Sequence, residues 1–482
     1  MILATFVVFM AMFFLVGIGS VLRSRGTKLD YYLASRGVSP MFAGLSAVAT
    51  NNSGYMFIGV IGYTYVAGLA AVWLMLGWIL GDLLASLFVH RRLRRAAGAS
   101  GQSSYIAVLA GWQRRDLFLW QRLAAIVSLV FLGTYAAAQI SAGSKALHGV
   151  LDWPAEAGAV LSAAMVLLYS AAGGIRASIW TDVAQSMTML VAMSILFVAG
   201  VQGQHGLIAA IDRLDAIPGY LDLTPQDLLV PGVTGYFLFV VGWMFAGLSV
   251  VGQPHVMVRF MSLESESQMT RARGWYYVYF LLFYLLATAV GLLSRLYLPE
   301  LESLDPELAL PSMAVELLDP FLVGVILAGI FAATMSTADS LVLSCSSAIT
   351  SDLLEGRLER PLHLKLVTAL VTLVALGLAL SGEQSVFDLV ILSWSTLACA
   401  FAPLLVLYAL RCHVDQGVAL ATTLVAIAIG WWWRWMGWQD ALYEGLPGIC
   451  GGALVGWLLS RWRWKRSGEA SGIAPDPRTR AL

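Results

Sequence analysis

Charge is what this sequence has least of. Only 12% of its 482 residues are Asp, Glu, Lys or Arg, about half the share found in an ordinary soluble domain. Beside a hydrophobic content of 59%, that scarcity excludes a soluble enzyme. Net charge is missing too: 29 basic residues stand against 29 acidic ones, so no excess charge marks a nucleic acid or an acidic partner. Cysteine is rare. Cys345, Cys399, Cys412 and Cys450 lie in or beside apolar runs, at spacings that resemble neither a zinc site nor a disulfide framework, and they are read as packing residues. Long polar stretches are absent as well, the longest being 91–117, 203–230 and 298–317, which leaves no room for a second domain. No nucleophile–base pair stands out among the six histidines, so no bond chemistry is expected.

What the chain has in abundance is apolar length. Its mean hydropathy is +0.78, and a membrane crossing needs about 20 mostly apolar residues. Thirteen such stretches occur, at roughly 2–22, 41–66, 69–90, 118–146, 155–173, 178–202, 231–254, 274–297, 318–350, 364–381, 386–410, 415–433 and 441–461. The expected fold class is an all-α integral membrane protein of about 13 transmembrane helices. Residues 1–466 would form a single transmembrane domain, followed by a disordered tail at 467–482. The first stretch has no basic residue ahead of it and no small-residue cleavage site behind it, so it is read as a retained helix. Sorting Lys and Arg by loop puts 25 on one side and only Lys145, Arg213, Arg295 and Arg434 on the other. The excess of positive charge on cytoplasmic loops then predicts an outer N-terminus and a cytoplasmic C-terminus in the cytoplasmic (inner) membrane. A short interfacial helix is expected around Ser104 to Leu109.

Two spans are interrupted by polar, glycine-containing segments, which the bilayer tolerates only where they face protein or a water-filled cavity. The second carries Ala49-Thr50-Asn51-Asn52-Ser53-Gly54-Tyr55 near its middle. The seventh carries Gly242-Trp243, then Gly247-Leu248-Ser249, and ends at Gly252-Gln253-Pro254-His255. Unwinding there would free carbonyl oxygens for a hard cation and turn helix N-termini toward an anionic group; the alternative is a packed crossing of small residues. The interrupted spans stand five apart, and each opens a run of five helices. Because five is odd, the second run enters the membrane from the opposite side. That is the arithmetic of an inverted repeat, about 41–202 and 231–410, with the site at the interface of the two halves.

The ninth span supplies a partner surface. Ser336, Ser340, Ser344 and Ser347 recur every three or four residues and share one helical face. Set against the opened second span, the Ser336 and Thr337 hydroxyls with the carbonyls of Ala49, Asn52 and Ala333 would make a dehydrated oxygen cage suited to sodium. Serines bonding back to their own helix would explain one or two hydroxyls but not Asp339 among them. Carboxylates within spans are costly and usually line a pathway or are paired. Asp339 and Asp182 are therefore candidates for a cation site or an inner exit, Asp182 alternatively capping the start of its helix. Asp82 has no polar partner nearby in its own span. Tyr55, Tyr135 and Trp243 offer pocket walls near the breaks, Gln139 lies one turn beyond Tyr135, and Asn51 adjoins Asn52 in the polar segment.

These residues also resemble a known family. Ser46-Ala47 through Gly54-Tyr55, Gly173-Gly174 with Trp180-Thr181-Asp182, Gly252-Gln253-Pro254-His255 with Arg259-Phe260-Met261, and Ala332 to Asp339 followed by Ser346-Ser347-Ala348-Ile349-Thr350-Ser351-Asp352-Leu353 are similar to the sodium/solute symporters, most nearly the sodium/proline branch. The resemblance runs from about residue 20 to 460. It implies a LeuT-type 5+5 inverted-repeat core with extra helices, and sodium held by Ala49, Asn52, Ala333, Ser336 and Thr337. It implies a second cation, where there is one, at Asp182, Asp339 and Ser340, and substrate contacts at Ser53, Tyr55, Tyr135 and Ser340. The chain departs from the proline transporters at Asn51, where they carry an acidic residue, and at Tyr55, where they have tryptophan. Their pocket tryptophan of the seventh span falls near Ala246, one turn from Trp243.

The resulting expectation is a sodium-coupled secondary active symporter, not an enzyme, that imports a small polar organic solute, an amino acid such as proline. A proton-coupled carrier using Asp339 or Asp182, and a transporter-like solute sensor, are the other two readings.

Overall fold

The computed structural model describes residues 1–471 apart from 23–24, 114–116, 226–227, 300–304, 356 and 383–384; for residues 21, 169–172 and 464–471 it describes the backbone alone. Every regular element among them is helical. The main helices are α1 (Ile2–Val21), α2 (Pro40–Gly54), α3 (Val72–Ser100), α4 (Phe118–Leu151), α5 (Ala155–Gly203), α6 (Val233–Leu248), the short α7 (Pro254–Met261), α8 (Met269–Tyr297), α9 (Pro320–Ser347), α10 (Pro361–Leu380), α11 (Val386–Ala409), α12 (Gln416–Trp435) and α13 (Gly445–Ser471). Among the described residues ten helical runs are long and apolar enough to cross a membrane. Three features separate this count from the thirteen stretches of the sequence. Pro40–Ser100 is a single run, Ala155–Leu168 is a shorter apolar helix, and the glycine-rich α13 is not among the ten. The chain is a multi-pass membrane protein. Of the expected disordered tail, residues 467–471 continue α13 and 472–482 lie outside the described residues.

Burial sorts these helices into a centre and a rim. In α9, 89% of the most apolar window is buried, and in α11 83%, against 28% in α1 and in α10. A helix apolar all round belongs in the interior or in lipid; α9, packed against α1, α2, α4 and α5, takes the interior. A close crossing joins α3 to α6. A Cβ on Gly81 would collide with the Met244 carbonyl, and one on Gly247 with the Trp78 carbonyl, so only glycine lets the two backbones meet.

Three departures from helical geometry shape the centre. In α2, Ser53 has φ 50° and ψ 179°, a conformation costly for a non-glycine residue, and a π-helical turn, Tyr55–Val60, follows. In α5, Gly174 (φ 59°, ψ −148°) bends the run that the sequence reads as two spans. Between α6 and α7 a 3-10 turn, Ser249–Gly252, leads to an extended Gln253 before Pro254 opens α7. The polar segment 91–117 does contain a short helix, Tyr105–Ala110, capped by the Ser104 hydroxyl. The Tyr105 hydroxyl donates to the Val251 carbonyl, so this helix satisfies an oxygen at the α6–α7 break. Polar segments read as loops also fold: Leu207–Asp215 and Ala309–Leu317 are helices.

Candidate ion and solute site

The opened part of α2 lies directly on α9. Ser336 Oγ is 3.2 Å from the Ala49 carbonyl and 3.0 Å from that of Ala333. Thr337 Oγ1 donates to the Thr50 carbonyl at 2.9 Å, and Thr50 Oγ1 returns a bond to the Ser336 carbonyl at 3.0 Å. Four of the five expected cage residues thus meet in a cluster of oxygen atoms, joined by Thr50, which the sequence reading passed over. Asn52 is placed differently. Its carbonyl accepts the N–H of Tyr55, and its buried side-chain amide has no hydrogen-bond partner.

The break at Ser53 is held by side chains from α4. The N–H of Gly54 is bound by Gln139 Oε1 at 2.8 Å, and Ser53 Oγ accepts both the N–H of Tyr55 at 3.0 Å and the Tyr135 hydroxyl at 3.2 Å. These bonds satisfy groups that unwinding leaves bare. Several polar atoms nearby stay bare nonetheless: Tyr55 Oη, Gln139 Nε2, Gln253 Oε1 and both ring nitrogens of His255 are buried without a partner. His255 presents its ring edge-on to Tyr135, with centroids 5.6 Å apart, and to Trp394 at 6.3 Å. Buried polar groups are normally paired, so this set carries hydrogen-bonding capacity that the described residues do not use. His255 and Gln253 were legible only as part of the Gly-Gln-Pro-His motif. The ring of Tyr55 rests on Trp78 at 5.7 Å and Phe387 at 5.2 Å. Trp243 is one ring further out, on Trp78 at 6.2 Å and Tyr63 at 6.3 Å.

One turn from the cage lies a buried charge cluster. The Arg259 guanidinium of α7 donates to Asp182 Oδ2 at 3.3 Å, Ser178 Oγ at 2.8 Å, Ser46 Oγ at 3.2 Å, the His255 carbonyl at 2.5 Å and the Ser340 hydroxyl. Ser46 Oγ donates to Asp182 Oδ2 at 2.6 Å. Asp339 Oδ1 receives Ser340 Oγ at 2.9 Å and Ser178 Oγ at 3.2 Å. Ser340 Oγ also reaches the Ser336 carbonyl at 2.6 Å, tying the cluster to the cage. Arg259 is 1% exposed, Asp182 0% and Asp339 2%. Asp182 is therefore no helix cap: Gly174 starts its segment two turns earlier, and its Oδ1 has no hydrogen-bond partner among the described residues. Two buried carboxyl groups thus share a single guanidinium. Beyond Arg259 a cavity of about 30 Å³ is lined by Ser340, Ser344, Ser347, Ser104, Tyr105 and Pro254 among others, so the hydroxyl face of α9 continues from the cage toward the Tyr105–Ala110 helix.

Comparison with known proteins bears on this arrangement. A family model described as the sodium:solute symporter family matches residues 31–425. The chain is 28% identical over 468 residues to a sodium/proline symporter of Salmonella typhimurium, covering 94% of this chain and 91% of that protein. It is 28% identical over 475 residues to a sodium/proline symporter of Staphylococcus aureus, with the same coverage. Among solved structures, a Na+-coupled sialic acid symporter in a substrate-bound outward-open state superposes with a TM-score of 0.79 at 20% identity, over 96% of this chain and 98% of that one. A nucleobase-cation-symport-1 family transporter superposes with a TM-score of 0.58 at 15% identity, over 90% and 95%. The fold is accordingly that of the LeuT-type transporters.

Proposed function

The chain belongs to the sodium:solute symporter family, and from that premise we propose that it is a sodium-driven symporter importing a small polar organic solute, an amino acid such as proline. The observation that carries this reading is the break at Ser53 set against the hydroxyls of Ser336 and Thr337. Sodium is a hard cation that takes oxygen ligands. In this reading the Ala49, Asn52 and Ala333 carbonyls and the Ser336 and Thr337 hydroxyls hold it, the hydroxyl hydrogens turning away as the ion enters. Asp182, Asp339 and Ser340 form a second cation position, for which the pairing of two carboxyl groups with only one guanidinium is the support. The solute sits against Asn51, Ser53, Tyr55, Tyr135, Gln139, Trp243 and Ser340, its polar ends answering the buried atoms that lack partners. Sodium draws α2 and α9 together and so completes the solute pocket, after which the two repeats rock around it. The N-terminus lies outside and the C-terminus in the cytoplasm.

The driving force is adequate. One charge crossing about 100 mV releases roughly 2.3 kcal/mol; at about 1.4 kcal/mol per factor of ten, that sustains on the order of fortyfold accumulation per sodium. Uptake of labelled proline and related solutes into vesicles, with sodium replaced by choline at fixed pH and voltage, tests the proposal. Uptake is expected to collapse in choline; uptake that follows pH alone contradicts sodium coupling. Tyr135→Ala is expected to raise the half-saturating solute concentration more than the half-saturating sodium concentration, since its hydroxyl meets Ser53 and not the cage. Equal shifts of both would remove Tyr135 from the pocket.

A further inference from the structure

Asp82 of α3 is fully buried, forms no ion pair among the described residues and belongs to neither the cage nor the Arg259 cluster. Two phenols of α8 serve it: Tyr276 Oη donates to Oδ2 at 2.6 Å and Tyr277 Oη to Oδ1 at 2.8 Å. The chain of bonds continues, because Asn51 Nδ2 donates to Tyr276 Oη at 2.6 Å. Asn51 lies in the opened part of α2, between Thr50 and Asn52, and its Oδ1 is buried without a partner. Of the other groups around Asp82, Tyr284 of α8 is near enough to feel its charge, and Ser86 lies one turn along α3 beside Tyr277. His90, two turns along, is stacked on Phe260 of α7 with centroids 4.0 Å apart. The cation Arg273 of α8 acts on Tyr277 and His90; α6 carries no charged side chain, and α7, whose one cation is the Arg259 of the other cluster, makes no hydrogen bond to Asp82 among the described residues.

From this geometry we infer that Asp82 is a proton-binding site, and that Tyr276 and Asn51 couple its proton to the cation position of α2. The inference rests on the sodium reading of the cage. Its logic is the direction of the hydrogen bonds. An ionised Asp82 only accepts, so Tyr276 must donate to it, leaving the Tyr276 oxygen to accept from Asn51 Nδ2. The amide oxygen is then left without a partner, within the segment that carries the cage carbonyls. When a proton from water binds Oδ2, that carboxyl becomes a donor to Tyr276 Oη. The phenol hydrogen is released to Asn51, the amide rotates to accept it with Oδ1, and an N–H group replaces the oxygen beside the ion segment. Sodium, which wants oxygen ligands, then binds less well. Protons and sodium thus oppose one another without sharing ligands, and the opposition is reciprocal. A lone carboxylate with neutral donors suits this role, since no fixed cation holds it in one charge state.

The test uses the purified full-length protein. Sodium-22 binding is measured from neutral to acidic pH, and an infrared titration follows the carboxylic-acid C=O band. The wild type is expected to lose sodium affinity on acidification by about fivefold or more, the usual lower range of coupling between sites, as an infrared band assigned to Asp82 appears. Asp82→Asn should lack that band and bind sodium weakly at every pH. Tyr276→Phe should keep the band and lose the pH dependence, a separation that a merely structural role would not produce. Intact sodium binding with the same pH response in wild type and Asp82→Asn overturns the inference alone. No sodium binding by the wild type at any pH overturns the cage reading with it.

Discussion

Arg259→Met is expected to abolish solute uptake and to lower the melting temperature of the purified protein sharply. The guanidinium is the one cation facing two buried carboxylates, Asp182 and Asp339, and it also holds Ser46, Ser178 and the His255 carbonyl. Its hydrogen bonds therefore join α2, α5, α7 and α9. Breaking a buried ion pair by removing one partner typically costs about 3–5 kcal/mol, because the partner stays charged where water cannot reach it. Here two such groups would remain. Arg259→Lys should recover part of the stability, since a point charge cannot fork among several acceptors. Arg259→Met with Asp182→Asn should recover more of the folding while leaving transport impaired, because it removes one of the stranded charges but also a proposed cation ligand. Thermal unfolding in detergent measures the first effect and vesicle uptake the second. An unchanged melting temperature in Arg259→Met would mean that the cluster does not hold the four helices.

The second large effect is on sodium itself. Thr337→Ala should raise the half-saturating sodium concentration for uptake by about ten- to a hundredfold, as expected from hydrogen-bond-like contacts to charged groups worth roughly 1.5–3 kcal/mol. Its abundance in the membrane should not change, since the lost hydroxyl bridges helices through one bond, to the Thr50 carbonyl. Thr334→Ala is the matched control. Thr334 is one turn away and equally buried, but its hydroxyl bonds back to Phe331 of its own helix at 3.1 Å, so it should leave sodium dependence as it is. Equal effects of the two substitutions would mean that packing of α9, and not oxygen ligation, sets the response.

Much of this architecture is written in local pattern. Apolar runs of spanning length become helices, the Asn-Asn-Ser-Gly segment does open, at Ser53, and the serines of α9 share a face because helical period alone decides it. Ser104 caps a short helix where a serine before an apolar run suggests one. What stayed hidden depends on contacts between distant parts of the chain. Asp182 and Asp339 could be singled out as costly, but their partner Arg259 is 77 residues from one and 80 from the other, on a helix of eight residues. Its only local sign was a basic residue in the apolar stretch after Gly-Gln-Pro-His. Asp82 looked unassigned because Tyr276 and Tyr277 are some 194 residues away. The capping alternative for Asp182 failed because the helix start moved back to Gly174, a bend that pattern reads as a loop. Asn52 is read as a carbonyl ligand by its place in the break, and that the same carbonyl also accepts the N–H of Tyr55 is a consequence of the opened backbone that no pattern displays.

Whether sodium occupies the junction of α2 and α9 is measured directly by equilibrium binding of sodium-22 to the purified protein without solute. Saturable binding by the wild type, greatly weakened in Thr337→Ala and preserved in Thr334→Ala, is the predicted result. Identical binding curves for all three proteins would contradict it.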